Sequence, residues 1–161
     1  KMQHPDYELY TAGSTHFNAG VACADCHMPY TRDGSAKFST HDITSPLLKL
    51  PQTCGVCHTD VDYVAGRVKI IQDSVHETMI SAEEAILAAI DAIKIASENP
   101  GTDAEMLVQA RELHRQAQMR WDFINAENSM GFHNPEEALR ILAKSIDLAR
   151  QAENLALKAV K

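Results

Sequence analysis

The sequence is short of positive charge, of long apolar runs and of cysteine, and each shortage excludes something. Lys and Arg number 15 against 22 Asp and Glu, for a net charge of −7. No basic stripe exists to neutralise phosphates, so nucleic acid is not the expected partner. No apolar run approaches the length of a membrane span. The chain opens at Lys1 with neither an initiator Met nor a signal peptide, as expected of a mature processed form or of a fragment of something longer. What it does have is 45% hydrophobic residues in 161, enough for one ordinary domain with its own core and against full disorder.

Only four cysteines occur, and all are spent on one pattern used twice: Cys23-Ala-Asp-Cys26-His27 and Cys54-Gly-Val-Cys57-His58. Three chemistries compete for it. Two thiols three apart can each bond one vinyl group of a porphyrin edge, and the next residue then places an imidazole on the iron; this is the c-type haem signature. Two Cys-x-x-Cys pairs can also supply four thiolates to one zinc, but zinc does not require histidine at the same offset in both. Thiol redox chemistry needs a thioredoxin-like βαβ frame, and none is visible. The histidine in both pairs, with no cysteine left over, favours two haems over zinc and over disulfides with stray histidines.

Eight histidines is the other excess, and six lie outside the motifs. His27 and His58 are the expected proximal ligands. The sixth ligand on each iron must come from His4, His16, His41, His76, His114, His133 or a methionine. Met28 adjoins His27 and is badly placed to reach the opposite face. His76 and His114 sit just off the apolar seams of long helices, where a solvated histidine is the ordinary expectation. His133 lies in a break between helices, and His16 and His41 flank the first motif in loops. Spacing alone cannot pair them with irons.

The chain divides by texture, which predicts a mainly α fold: a loop-rich haem-binding half over 1–60, then a long-helix region over 61–161. The first half holds four of the six prolines and turn signals such as Arg32-Asp33-Gly34-Ser35. Bound porphyrin would supply the core it lacks, coupling folding to cofactor attachment. No convincing strand is visible. From Val61 the apolar residues recur at alternating steps of three and four, through Val64, Val68, Ile71, Val75, Met79, Ala82, Ile86, Ala89, Ile93 and Ala96. Such a helix spans roughly 50 Å and ends at Glu98-Asn99-Pro100-Gly101. A second helix is expected after Thr102 as N-cap, with Glu105 completing a capping box. Its seam is Met106, Ala110, Leu113, Ala117, Trp121 and Ile124. Asn134 caps a third, with Pro135 at its first position and Leu139, Leu142, Ile146, Ala149 and Ala152 as its seam. Such seams serve an intrachain hairpin or a second subunit equally. The length of the first helix, with Ala82, Ala85 and Ala89 small enough for close approach, tilts the reading towards a homodimer.

Several stretches together resemble one family. They are Lys-Met-Gln-His-Pro-Asp-Tyr-Glu at the start, Thr11-Ala-Gly13, the two motifs in order, Ala117-Gln-Met-Arg-Trp-Asp122, and His133-Asn-Pro-Glu-Glu-Ala-Leu-Arg140. The chain is similar to the C-terminal part of the ammonia-forming cytochrome c nitrite reductases, periplasmic multihaem enzymes. The resemblance implies a parent with five haems, of which this part holds the last two. It implies reduction of nitrite to ammonium with six electrons at a haem attached through Cys-x-x-Cys-Lys, a motif absent here. His4 matches a histidine that hydrogen-bonds substrate and helps supply protons. Lys1, through its carbonyl, and Gln3, through its side-chain oxygen, match calcium ligands beside that site. His133 matches the distal ligand of the Cys23/Cys26/His27 haem, and His16 that of the Cys54/Cys57/His58 haem. His41 matches a ligand of a haem encoded elsewhere in the parent. The long helices match a dimer interface, and the electron donor is a quinol-linked or soluble cytochrome. The competing readings are a stand-alone dihaem carrier and a zinc-binding interaction module.

Overall fold

The structure is a computed structural model describing residues 5–160. Lys1, Gln3 and His4, the residues matched to calcium and substrate, lie outside the described residues. Three long helices dominate: α4 (Val61–Glu98), α5 (Ala104–Ala126) and α6 (Pro135–Ala159). Before them come the short helices α1 (Asp6–Thr11), α2 (Thr15–Asn18) and α3 (Cys23–His27), and a two-stranded antiparallel hairpin, β1 (Tyr30–Asp33) and β2 (Ala36–Ser39). Two 3-10 turns, Pro46–Lys49 and Cys54–Val56, lead into α4.

Each long helix begins where a side chain can satisfy orphan amides. Asp60 accepts from the Tyr63 amide at the start of α4, and Asn134 from the Glu137 amide at the start of α6. The expected cap on α5 is corrected by one residue. Asp103 accepts from the amides of both Glu105 and Met106, while the Thr102 hydroxyl donates back to the Ala96 carbonyl at the end of α4. A carboxylate reaching two amides outcompetes the hydroxyl, and Thr102 closes the α4–α5 turn instead.

The three seams face one another within the chain. Val75, Met79, Ala82, Ile124, Ala138 and Leu142 form one buried cluster, Ala85, Ile86, Ala117, Leu148 and Ala149 a second, and Ala92, Ala96, Ala110 and Ala156 a third. The small residues let the helices close, so Ala82, Ala85 and Ala89 serve intrachain packing. On α5, Leu107 packs in the third cluster while Met106, expected on the seam, is exposed. Two hydrogen bonds between helices fix the register: Trp121 Nε1 donates to the Met79 carbonyl at 3.3 Å, and the buried Ser145 hydroxyl to the Ala117 carbonyl at 2.8 Å.

The hairpin corrects the expectation that no strand occurs. Its residues are almost all exposed, so no apolar alternation marks it. What makes it is the turn: Gly34 takes a positive φ of 55° between Asp33 and Ser35. The loop-rich half is anchored to the bundle at its start. Leu9 is 1% exposed and belongs to the first core cluster.

Candidate functional site

Both cysteine motifs wind into a single helical turn. In the first, the Ala22 amide donates to the Asp25 carboxylate at 2.7 Å and the Met28 amide to the Ala24 carbonyl at 2.8 Å. In the second, the amides of Cys57 and His58 both donate to the Cys54 carbonyl, and the buried Thr53 hydroxyl donates to the carbonyls of Pro46 and Lys49. A helical turn sets residues i and i+3 side by side, which presents the two thiols of each motif together with the histidine directly after. No disulfide joins any two of the four cysteines. Burial pushes the Cys26 thiol up, helped by Cys54, Asp25, Cys23 and Cys57, so the two motifs are near enough to feel one another. Yet among the described residues the four thiols do not converge on a point where one zinc could sit.

The histidines do converge, in two pairs. The ring centres of His27 and His133 lie 6.2 Å apart with planes inclined at 63°, and those of His16 and His58 6.4 Å apart with planes inclined at 77°. Two imidazoles on opposite sides of one metal, each bonded at about 2 Å with roughly 1 Å from nitrogen to ring centre, have centres about 6 Å apart. Each pair stands beside its own cysteines, so the residues fit a haem iron between two histidines. Nδ1 of His27 is tied to the Thr44 carbonyl at 3.1 Å, leaving Nε2 as the other ring nitrogen. Nδ1 of His133 faces Asp6 Oδ1 at 3.3 Å and Glu127 Oε2 at 3.5 Å. Burial, and then the neighbouring His58, hold His16 below the usual histidine range.

The turn between α5 and α6 carries this arrangement. Phe132 packs on the His16 ring and the adjoining His133 meets His27, so one dipeptide reaches both pairs. Tyr10 makes edge contacts with Phe17 and His133 and donates to the Val21 carbonyl. Burial opposes ionisation of Glu127. The neighbouring His133 ring, with hydrogen bonds from the Gly131 amide and the Ser129 hydroxyl and amide, outweighs it and holds the carboxyl below the usual carboxylate range. Asp6, Glu127, Tyr10 and Phe132 escaped the sequence reading. Residues 127–134 were legible only as a helix break, and nothing local links them to α1.

The remaining histidines separate cleanly. His76 and His41 are exposed. His114 is half-buried on α5, and its Nε2 is buried without a hydrogen-bond partner.

The chain is 43% identical to the NrfA subunit of cytochrome c nitrite reductase from Nitratidesulfovibrio vulgaris, over all of this chain and 32% of that protein. It is 42% identical to a cytochrome c-552 from Bacteroides fragilis, over 94% of this chain and 31% of that protein. The solved cytochrome c nitrite reductase of Desulfovibrio desulfuricans, whose catalytic subunit has two calcium sites, superposes with a TM-score of 0.93 at 38% identity, over 99% of this chain and 34% of that one. The chain thus spans about a third of the length of the relatives it matches. Residues 1–161, with both cysteine turns and all four facing histidines among them, match the family described as cytochrome c552, and the chain belongs to that family.

Proposed function

We propose that this chain is the electron-relay and scaffold part of a periplasmic, ammonia-forming cytochrome c nitrite reductase, with residues 1–60 holding two covalent haems and residues 61–161 forming the helical scaffold. The observation that carries the proposal is the pairing of His27 with His133 and of His16 with His58, each pair beside one Cys-x-x-Cys turn. Cys23 and Cys26 attach one group and Cys54 and Cys57 the other. A c-type haem supplies one-electron exchange between ferric and ferrous iron when bound.

The residues decide what that exchange is used for. Residues His27 with His133, and His16 with His58, would hold the two groups, and sites so held would pass electrons and leave substrate chemistry to other parts of the parent. The Thr44 carbonyl holds Nδ1 of His27, which would leave its Nε2 for a metal, and the Asp6 and Glu127 carboxylates set negative charge beside Nδ1 of His133. Substrate chemistry falls to the rest of the parent. There His4 would hydrogen-bond nitrite and deliver protons, and Lys1 and Gln3 would contribute oxygen ligands to calcium. His41 would reach a haem whose cysteines lie outside these residues.

For a homodimer, the supporting feature is a second apolar set on α4. Ile70, Ile80, Leu87, Ile90 and Ile95 are each at least 40% exposed, on the side away from the buried seam. Electrons would arrive from a quinol-linked or soluble cytochrome. None of the helices among the described residues is long and apolar enough to cross a membrane.

The test is spectroscopic. A Soret band surviving acid–acetone extraction, with two haems per chain, is expected. His133→Ala and His16→Ala should each convert one low-spin haem to high-spin. Loss of the colour into acetone, or low-spin spectra in both variants, would overturn the assignment.

A further inference from the structure

Resting on the ligand reading above, we propose that Glu127, with Asp6 beside it, is a positioning residue that strengthens His133 as an axial donor and so lowers the reduction potential of the Cys23/Cys26 haem.

Three side chains from distant parts of the sequence meet here: Asp6 opens α1, Glu127 ends α5 and His133 precedes α6. Their ligand atoms lie close enough together to resemble a metal site. The carboxylates, however, are already committed to hydrogen donors. Asp6 accepts from the Asn128 amide at 2.8 Å and from its side-chain nitrogen at 3.0 Å. Glu127 accepts from the Ser129 amide at 2.8 Å, the Ser129 hydroxyl at 2.7 Å and the Gly131 amide. A cation would have to displace these donors. What the pair is built to hold is negative charge, and the group it faces is Nδ1 of His133. That nitrogen is buried and makes no well-aligned hydrogen bond, and the charges nearest it are these two carboxylates, at 3.3 and 3.5 Å. At these distances the carboxylates act on the ring through their charge.

The contrast with His27 gives the arrangement its consequence. Nδ1 of His27 meets a neutral carbonyl, that of Thr44. Nδ1 of His133 meets carboxylates, one of which has a side chain with no exposed surface at all. In such a dry setting the charge is poorly screened. A carboxylate draws the Nδ1 proton towards itself and raises the basicity of the other ring nitrogen. A stronger donor favours ferric over ferrous iron, since the oxidised metal carries the greater charge.

Glu127 also organises the turn through Ser129 and Gly131, so loss of activity alone would not separate tuning from architecture. The test therefore reads potentials haem by haem in the full parent enzyme with all haems incorporated. Glu127→Gln keeps the shape and an acceptor but removes the charge. At fixed applied potential it should shift the ferric-to-ferrous ratio of the Cys23/Cys26 haem about tenfold towards ferrous, a rise of ~59 mV for one electron. That haem should stay low-spin, and the Cys54/Cys57 haem should not move. Asp6→Asn, closer to solvent, should give a smaller shift in the same direction and serves if Glu127→Gln does not assemble. An unmoved potential with the low-spin spectrum intact would overturn the proposal while leaving the ligand assignment standing. A His133→Ala variant whose haem stays low-spin would sink the ligand reading itself.

Discussion

Asn134 holds two elements at once: its Oδ1 accepts from the Glu137 amide at 3.2 Å and its Nδ2 donates to the Leu9 carbonyl at 3.2 Å. The first bond starts α6 one residue after His133. The second ties α1 to the bundle, five residues beyond His4. A single buried amide thus coordinates the turn that carries His133 with α1. Asn134→Ala removes the cap, at about 1 kcal/mol, and leaves a buried carbonyl unpaired, at roughly 1–3 kcal/mol. Denaturant unfolding of the holoprotein should show the sum. Asn134→Asp, which keeps the cap and loses the donor, should fall between; a variant as stable as wild type would mean the Leu9 bond is idle.

Gly131 cannot be replaced quietly. Its φ is 82°, and a Cβ there would lie 2.6 Å from Cγ2 of the buried Val75. Left-handed strain and overpacking together predict a loss of roughly 2–4 kcal/mol for Gly131→Ala. Because the turn carries His133, the low-spin band of one haem should weaken as well. Pairing the change with Val75→Ala should recover part of the stability, since that relieves the clash and leaves the strain.

His41 should behave differently from the paired histidines. In the parent enzyme, His41→Ala should leave both haems encoded here low-spin and open a haem attached elsewhere. A high-spin signal traced to Cys23/Cys26 or Cys54/Cys57 would show that the distal ligands have been paired wrongly.

His114 predicts a pH dependence. Burial lowers its pKa from the ordinary histidine value. The unfolded chain therefore binds the proton more readily, and the stability contributed by neutral His114 is present above about pH 6.5 and lost as pH falls below it. Denaturant midpoints for wild type should drop between about pH 7.5 and 5.5 by more than those of His114→Gln. Equal drops in both would place the titration on other groups.

His4→Ala in the parent should cut nitrite turnover about a hundredfold or more, the usual cost of one preorganised donor at developing charge. The spectra of the two haems encoded here should not change. Calcium removal should depress activity in the same direction. Wild-type turnover in the variant would leave this chain with wiring and scaffold roles alone.

Much of the architecture is local and could be read directly. Cys-x-x-Cys-His needs only one helical turn, so both attachment turns follow from five consecutive residues. The bounds of α4 and α6 follow from a carboxylate or amide cap, Asp60 or Asn134, ahead of a periodic apolar run. Where two local signals competed, at Thr102 and Asp103, the shorter reach of the hydroxyl lost, and only the folded turn between α4 and α5 shows why.

Which histidine faces which is a different kind of fact. His16 and His58, or His27 and His133, are far apart in sequence, and no periodicity links them; resemblance to relatives suggested the pairs, and packing brings the rings within 6.2 to 6.4 Å. The carboxylates behind His133 left no mark in the sequence, because an Asp in a first helical turn and a Glu just past a helix end are ordinary surface positions until a third element closes on them. The alanines of α4 were equally ambiguous between a hairpin and a second subunit. Packing of α5 and α6 against them decided that they serve the chain itself. Residue types and local spacing therefore determined the chemistry and the helices; the partners of each imidazole, and so its electronic setting, were decided by contacts that exist only once distant segments are folded together.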